Sequence, residues 1–172
     1  MTRKILAIAL IAAIAASAQG MFLEEGTSEL SLSGLLDFDT ANGTLTDLNV
    51  FYGYFVMDYL EVGLEAGYLN DDAFRVWALG PKAEYNFDIG YSVVPFIGGA
   101  LKFASAEQKV IDESDNAGIA ALDAGAKFFI TEYAAISVAL VGELATDDIY
   151  AEKDGETSST DTRIELGMRF FF

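Results

Sequence analysis

The side chains able to do chemistry in this chain are carboxylates and amines held in a shared phase: Glu29, Asp37, Glu61, Glu65, Glu84, Asp123, Glu143 and Glu165, with Lys82, Lys102, Lys127, Arg163 and Arg169. Histidine and cysteine are absent. That removes the usual general base, the commonest metal ligand, thiolate chemistry and disulfide staples. A Ser-His-Asp triad cannot be assembled. Glu61 and Glu65 lie two inward positions apart, ~13 Å along a strand at ~3.3 Å per residue, too far for a glycosidase pair. The acidic runs Asp112-Glu113-Ser114-Asp115 and Asp147-Asp148 do not match a calcium-loop spacing and read as solvated loops. What a mixture of acids and bases can do is pair with itself. The expectation is a protein without catalytic residues, metal or cofactor.

The elements that hold these charges are strands. Thr162, Ile164, Leu166, Met168, Phe170 and Phe172 share one face of the last segment, while Asp161, Arg163, Glu165, Gly167 and Arg169 share the other. Similar alternation recurs in about eight segments: 28–39, 47–56, 60–68, 74–87, 93–104, 118–130, 135–144 and 163–172. The third shows it plainly, with Leu60, Val62, Leu64, Ala66 and Tyr68 against Glu61, Gly63, Glu65 and Gly67.

The N-terminus places this pattern in a compartment. Arg3 and Lys4 precede an uncharged apolar run from Ile5 to Ala15, and Ala16-Ser17-Ala18 forms a small-residue cleavage site. As a helix the run would reach only roughly 17 Å, well short of a ~30 Å hydrocarbon core. Residues 1–18 therefore read as a secretory signal peptide and 19–172 as one mature domain. No cysteine follows to carry a lipid. Lys and Arg number 10 against 27 Asp and Glu, a net charge of −17, and losing Arg3 and Lys4 with the leader takes it to −19. Such a chain is a poor partner for nucleic acid.

An exported, apolar chain without a helix-length apolar span points to a closed barrel, because only helices and barrels cross a membrane with their backbone satisfied. The fold class expected is all-β: a single antiparallel up-and-down transmembrane barrel. A Lys or Arg on the lipid face costs ~2–4 kcal/mol at the midplane, so the charged phase must face inward. A soluble lipid carrier would need an apolar interior, which these charges contradict. The connections Met57-Asp58-Tyr59, Asp88 to Ser92 and Thr131-Glu132-Tyr133 are tight. The connections 40–46, 69–73, 105–117 and 145–159 are longer and more acidic, which puts tight turns and termini on the periplasmic side and long loops outside. On that orientation Phe38, Tyr68, Trp77 and Phe103 fall near the outer rim, and Tyr54, Tyr85, Phe87, Phe128, Phe170 and Phe172 near the periplasmic rim.

Gly53-Tyr54-Phe55 before the first tight turn, Pro95-Phe96-Ile97-Gly98-Gly99 after the second and Met168-Arg169-Phe170-Phe171-Phe172 at the end carry a likeness across the mature chain. In these the sequence resembles the small outer-membrane β-barrels of OmpA and OmpX type. The resemblance implies a monomer in the outer membrane of a Gram-negative bacterium, in contact with lipid and lipopolysaccharide. It also implies that Phe170 and Phe172 are read by the barrel-assembly machinery. The function expected is a non-enzymatic barrel with a charged, plugged interior, serving envelope structure or surface contacts through acidic loops. A narrow channel for ions or small solutes is the alternative.

One outcome follows for the C-terminus. A terminal aromatic at the interface stabilises by at most ~2–3 kcal/mol on area grounds. Deleting Phe172 is therefore expected to lower the amount of folded barrel in the outer membrane, measured by heat-modifiable mobility, far more than that loss allows. Normal insertion would refute the recognition role.

Overall fold

The computed structural model describes residues 23–40, 43–70, 74–89, 92–108, 113–151 and 157–172, without side chains at 35–40, 43–45, 74, 108, 113–115, 151 and 157. The leader, with Ala16 and Ala18, and the side chains of Asp37 and Phe38 lie outside the described residues. So does part of the acidic run from Asp112 to Asp115.

Alternation becomes a meander of strands: β1 (Ser28–Thr40), β2 (Gly43–Met57), β3 (Leu60–Asn70), β4 (Phe74–Asn86), β5 (Val93–Gln108), β6 (Glu113–Thr131), β7 (Ala134–Ala145) and β10 (Thr160–Phe171), with a small hairpin of β8 (Tyr150–Ala151) and β9 (Thr157–Ser158) before the last. Each long strand pairs antiparallel with its chain neighbour, and β10 pairs with β1 to close an eight-stranded barrel. Across this seam the pairing runs from Glu29 with Phe171 to Ser33 with Gly167. At the seam Ser28 and Phe172 exchange backbone bonds, 2.8 Å from the Ser28 N–H to the Phe172 carbonyl and 3.0 Å in return.

Register fixes the stagger. From Glu29 the partners run Gly53, Gly63, Lys82, Ala100, Ala121, Glu143 and Asp161, yet across the seam Glu29 faces Phe171, ten residues beyond Asp161. A shear of that size in eight strands demands a strand tilt of ~35–45°. The outer wall is apolar and open: Ile164 is 74% exposed, Leu122 71% and Leu101 67%. A continuous belt of this kind is a lipid-contact surface. Tyr68 and Trp77 pack at 4.5 Å toward the long-hairpin end, and Tyr85 and Phe87 at 5.0 Å near the tight turns.

Several connections expected as loops are strand. Thr40 pairs with Gly43, Asn70 with Arg75 beyond Thr46, and β5 and β6 stay in register out to Gln108 and Glu113. The hydropathy pattern ends where the apolar band ends, because past it both faces meet water and alternation is no longer required. The ladder bonds do not depend on that pattern and continue. In the 145–159 connection the chain folds back over the mouth, burying Ile149 against Ala104, Ala106, Ala117, Ile119 and Ala145. Asp147 and Asp148 stay exposed.

The tight-turn end is floored by apolar side chains. Leu23, from the segment ahead of β1, packs with Phe55, Val94, Phe129, Ala135 and Phe171. Its carbonyl accepts the Tyr59 N–H at 2.8 Å, holding Tyr59 at a left-handed φ of 68° in the β2–β3 turn. The Tyr59 hydroxyl donates to Asp88 Oδ2 at 3.1 Å, and that bond with the carboxylate's charge pushes the phenol above its ordinary range.

A closed barrel resists detergent until heated. The protein purified in detergent is expected to show strand-type circular dichroism and to migrate differently on a gel before and after boiling. Identical migration with a helical spectrum would contradict the fold.

Candidate functional site: a charged lumen

Inward side chains fill the barrel in three levels. Above the apolar floor lies a cage of Glu29 from β1, Glu61 from β3, Glu84 from β4, Lys127 from β6 and Arg169 from β10. The carboxylates and the Lys127 amine are 0% exposed, and Arg169 is 6% exposed. Lys127 Nζ reaches Glu29 Oε2 at 2.6 Å, Glu84 Oε1 at 2.7 Å and Glu61 Oε1 at 2.9 Å. Arg169 Nη1 donates to Glu29 Oε1 at 2.7 Å and to both Glu84 oxygens at 3.0 and 3.1 Å. The three carboxylates sit close enough to hold a metal ion, but the ammonium of Lys127 already occupies the point where they converge.

Aromatic rings insulate the cage. Lys127 Nζ lies 5.5, 5.6 and 5.9 Å from the ring centroids of Phe171, Phe96 and Phe55, and the Arg169 guanidinium stacks 4.5 Å over Phe96. Ring faces attract cations, and the attraction strengthens where water is excluded. Two sites beside the buried carboxylates lack a Cβ. One at Gly53 would stand 2.5 Å from Glu61 Oε2, and one at Gly98 would collide with the Asp123 carboxylate. Glycine leaves the room those carboxylates use.

A second network continues upward. Lys82 bridges Glu65 and Asp123, both at 3.0 Å, and Lys102 bridges Glu65 at 2.9 Å and Glu143 at 2.7 Å. Arg163 then joins Glu143 at 3.0 Å and Asp161 at 2.7 Å, with Glu165 at 3.7 Å. Ser33 Oγ donates to Glu165 at 2.5 Å. The Tyr150 hydroxyl reaches down to Glu143 Oε2 at 2.8 Å, and burial, then the neighbouring carboxylate, pushes that phenol well above its ordinary range.

Beyond Arg163 the lumen widens into a cavity of ≈ 340 Å³ whose polar lining is Asp47, Asn49, Lys102, Glu143, Asp161, Arg163 and Tyr150 and whose apolar lining includes Val76, Ala78, Ile119 and Ile149. Larger hollows, ≈ 1150 and ≈ 700 Å³, are furrows on the outer wall among lipid-facing residues such as Leu64, Leu101 and Leu122 or Leu32 and Met168.

All the inward charges read from the sequence are thus in this column except Asp37, whose side chain is not described. Phe170 and Phe172 point outward, 37% and 66% exposed, and take no part in it. The alternation did not reveal Phe51, Phe55, Phe96, Phe129 and Phe171, which are buried inward in the phase of the charges. For all but Phe96 the signal is the breakdown of alternation into adjacent aromatics, Phe51-Tyr52, Tyr54-Phe55, Phe128-Phe129 and Phe170-Phe171-Phe172. Asp47 and Tyr150 were also not singled out, because strand ends beyond the apolar band carry no clear phase, whereas Asp161 already fell on the charged face of the last segment.

No family model matches the chain, and no curated protein sequence does. Solved structures do. The N-terminal β-barrel domain of Pseudomonas aeruginosa OprF matches at a TM-score of 0.61 and 19% identity, over 86% of this chain and 98% of that one. Neisserial surface protein A matches at 0.60 and 13%, over 85% and 96%. A major outer membrane protein from Thermus thermophilus matches at 0.53 and 12%, over 87% and 100%. At these identities the likeness speaks for architecture, and the architecture is that of the small eight-stranded outer-membrane β-barrels.

Proposed function

We propose that the protein is a closed, non-enzymatic barrel of the bacterial outer membrane, working through its outer end in envelope structure or surface contact. One observation carries this reading: the side chains of the cage at Lys127 and Arg169, which spans the lower lumen above buried Leu23, are only 0–6% exposed. An eight-stranded barrel is just wide enough for side chains to fill. Five ionic side chains tied to one another across five strands do not part cheaply, since each would be left charged and unpaired in a dry interior. The exposed apolar belt supports the membrane setting, and the outward Phe172 at the seam supports a role in recognition during assembly. The absence of histidine and cysteine supports the non-enzymatic part.

Planar-bilayer recording tests the reading. The native protein is expected to add no steady conductance, and a Lys127→Ala/Arg169→Ala double variant to admit ions. A stable open level from the native barrel would overturn the closed reading in favour of a narrow channel.

The cage also sets an order of stabilities. Removing one partner from a buried ionic cluster costs ~3–5 kcal/mol, so Lys127→Met should lower unfolding stability in urea by that order. Glu61 has one ion pair and an oxygen, Oε2, with no hydrogen-bond partner, in a cage of three acids and two bases. Glu61→Gln balances those charges and is expected to be neutral or stabilising. Glu84→Gln, which weakens contacts to both cations, is expected to be the more damaging of the two.

A further inference from the structure

We infer that the cavity at the outer mouth binds a small organic cation, an ammonium group on a short apolar body. The charge balance changes along the lumen. In the cage three acids meet two bases, all nearly unexposed. Above it six acids, Glu65, Asp123, Glu143, Asp161, Glu165 and Asp47, face three bases, Lys82, Lys102 and Arg163. Of these, Asp47, Glu143 and Asp161 line the cavity against Lys102 and Arg163, so a surplus of one negative charge faces it.

Solvent reaches that level: Arg163 is 25% exposed and Asp161 33%, against 0–6% in the cage. Asp47 accepts a bond from Asn49 Nδ2 at 3.3 Å and has no ion-pair partner among the described residues. A cation entering from the mouth meets an oxygen acceptor that feels Arg163 across the cavity but forms no ion pair with it.

The opposite wall selects the rest of the ligand. Val76, Ile119 and Ile149 offer apolar surface, and the ≈ 340 Å³ they help enclose is at the small end of ligand pockets, which barrel mouths commonly provide. A bare metal ion would leave that wall facing water. An anion would be repelled by the surplus acids, and a neutral apolar molecule would cover Asp47 without pairing it. An ammonium on a short hydrocarbon body satisfies both walls. The inference rests on the closed-cup reading only for the side from which the ligand arrives. Conductance tests that reading, and binding in detergent tests this one.

The experiment titrates 4-fluorophenethylammonium into the full chain folded in detergent and follows the fluorine resonance, with protein-free micelles as the blank and 2-(4-fluorophenyl)ethanol as the uncharged counterpart. A saturable shift is expected with the amine. The alcohol, and the Asp47→Asn and Asp161→Asn variants, should each bind roughly tenfold more weakly or less, as loss of a charge-assisted hydrogen bond implies. Ile119→Phe, which fills the cavity and keeps the charges, should abolish the shift, while Asp147→Asn on the exposed loop should leave it unchanged. Heat-modifiable mobility checks that each variant is folded. The inference falls if the amine shows no saturable component above the blank, if the alcohol binds equally, if folded Asp47→Asn and Ile119→Phe bind like the native protein, or if sodium at equal concentration displaces the amine fully.

Discussion

The seam between β1 and β10 is the constraint on which the rest of the molecule depends. Joining Glu29 to Phe171, when the neighbour-to-neighbour register from Glu29 leads to Asp161, sets the stagger of the whole sheet. With the stagger go strand tilt and barrel radius. With them also goes the set of inward side chains that meet at one height. Lys127 touches acids from β1, β3 and β4 because the tilt brings those positions level with it. A seam shifted by two residues would keep every side chain on its proper face and still dismantle the cage.

Given that geometry, the lumen grades from dry to wet. Near the tight turns, phenylalanine rings and Leu23 exclude water, and charges persist there because Lys127 and Arg169 each bridge two or more carboxylates. Toward the mouth exposure rises and the excess of acids over bases grows. The same residue types therefore serve different ends at the two levels. Below they tie strands together across the lumen, and above they set the potential a solute meets on approach.

The two ends of the barrel are closed by unlike means. Leu23 belongs to a segment outside the meander that is fastened to the β2–β3 turn through backbone bonds and to the floor through burial. At the other end the chain between β7 and β8 turns inward, so Ile149 covers small side chains while Tyr150 bonds Glu143. The floor is apolar and complete, whereas the cover is partial and leaves a polar flank open. That asymmetry gives the molecule an inner support and an outer face available to solutes.

What the sequence by itself determined is local and periodic. Alternation assigned the strands from Leu60 to Tyr68 and from Arg163 to Phe172 and the face each side chain takes, because a residue on the wrong face would place charge in lipid. Strand ends such as Gly43 and Gln108 escaped it, since ladder hydrogen bonds continue into water where no hydropathy rule applies. Phase says which way Lys127 points but not at what height or toward whom. Its meeting with Glu29, Glu61 and Glu84, the rings around it, the floor built on Leu23 and the cavity beside Asp47 all come from pairing across many residues of chain. Only the tertiary structure decided these, because they depend on the closing register, a long-range quantity that no local pattern encodes.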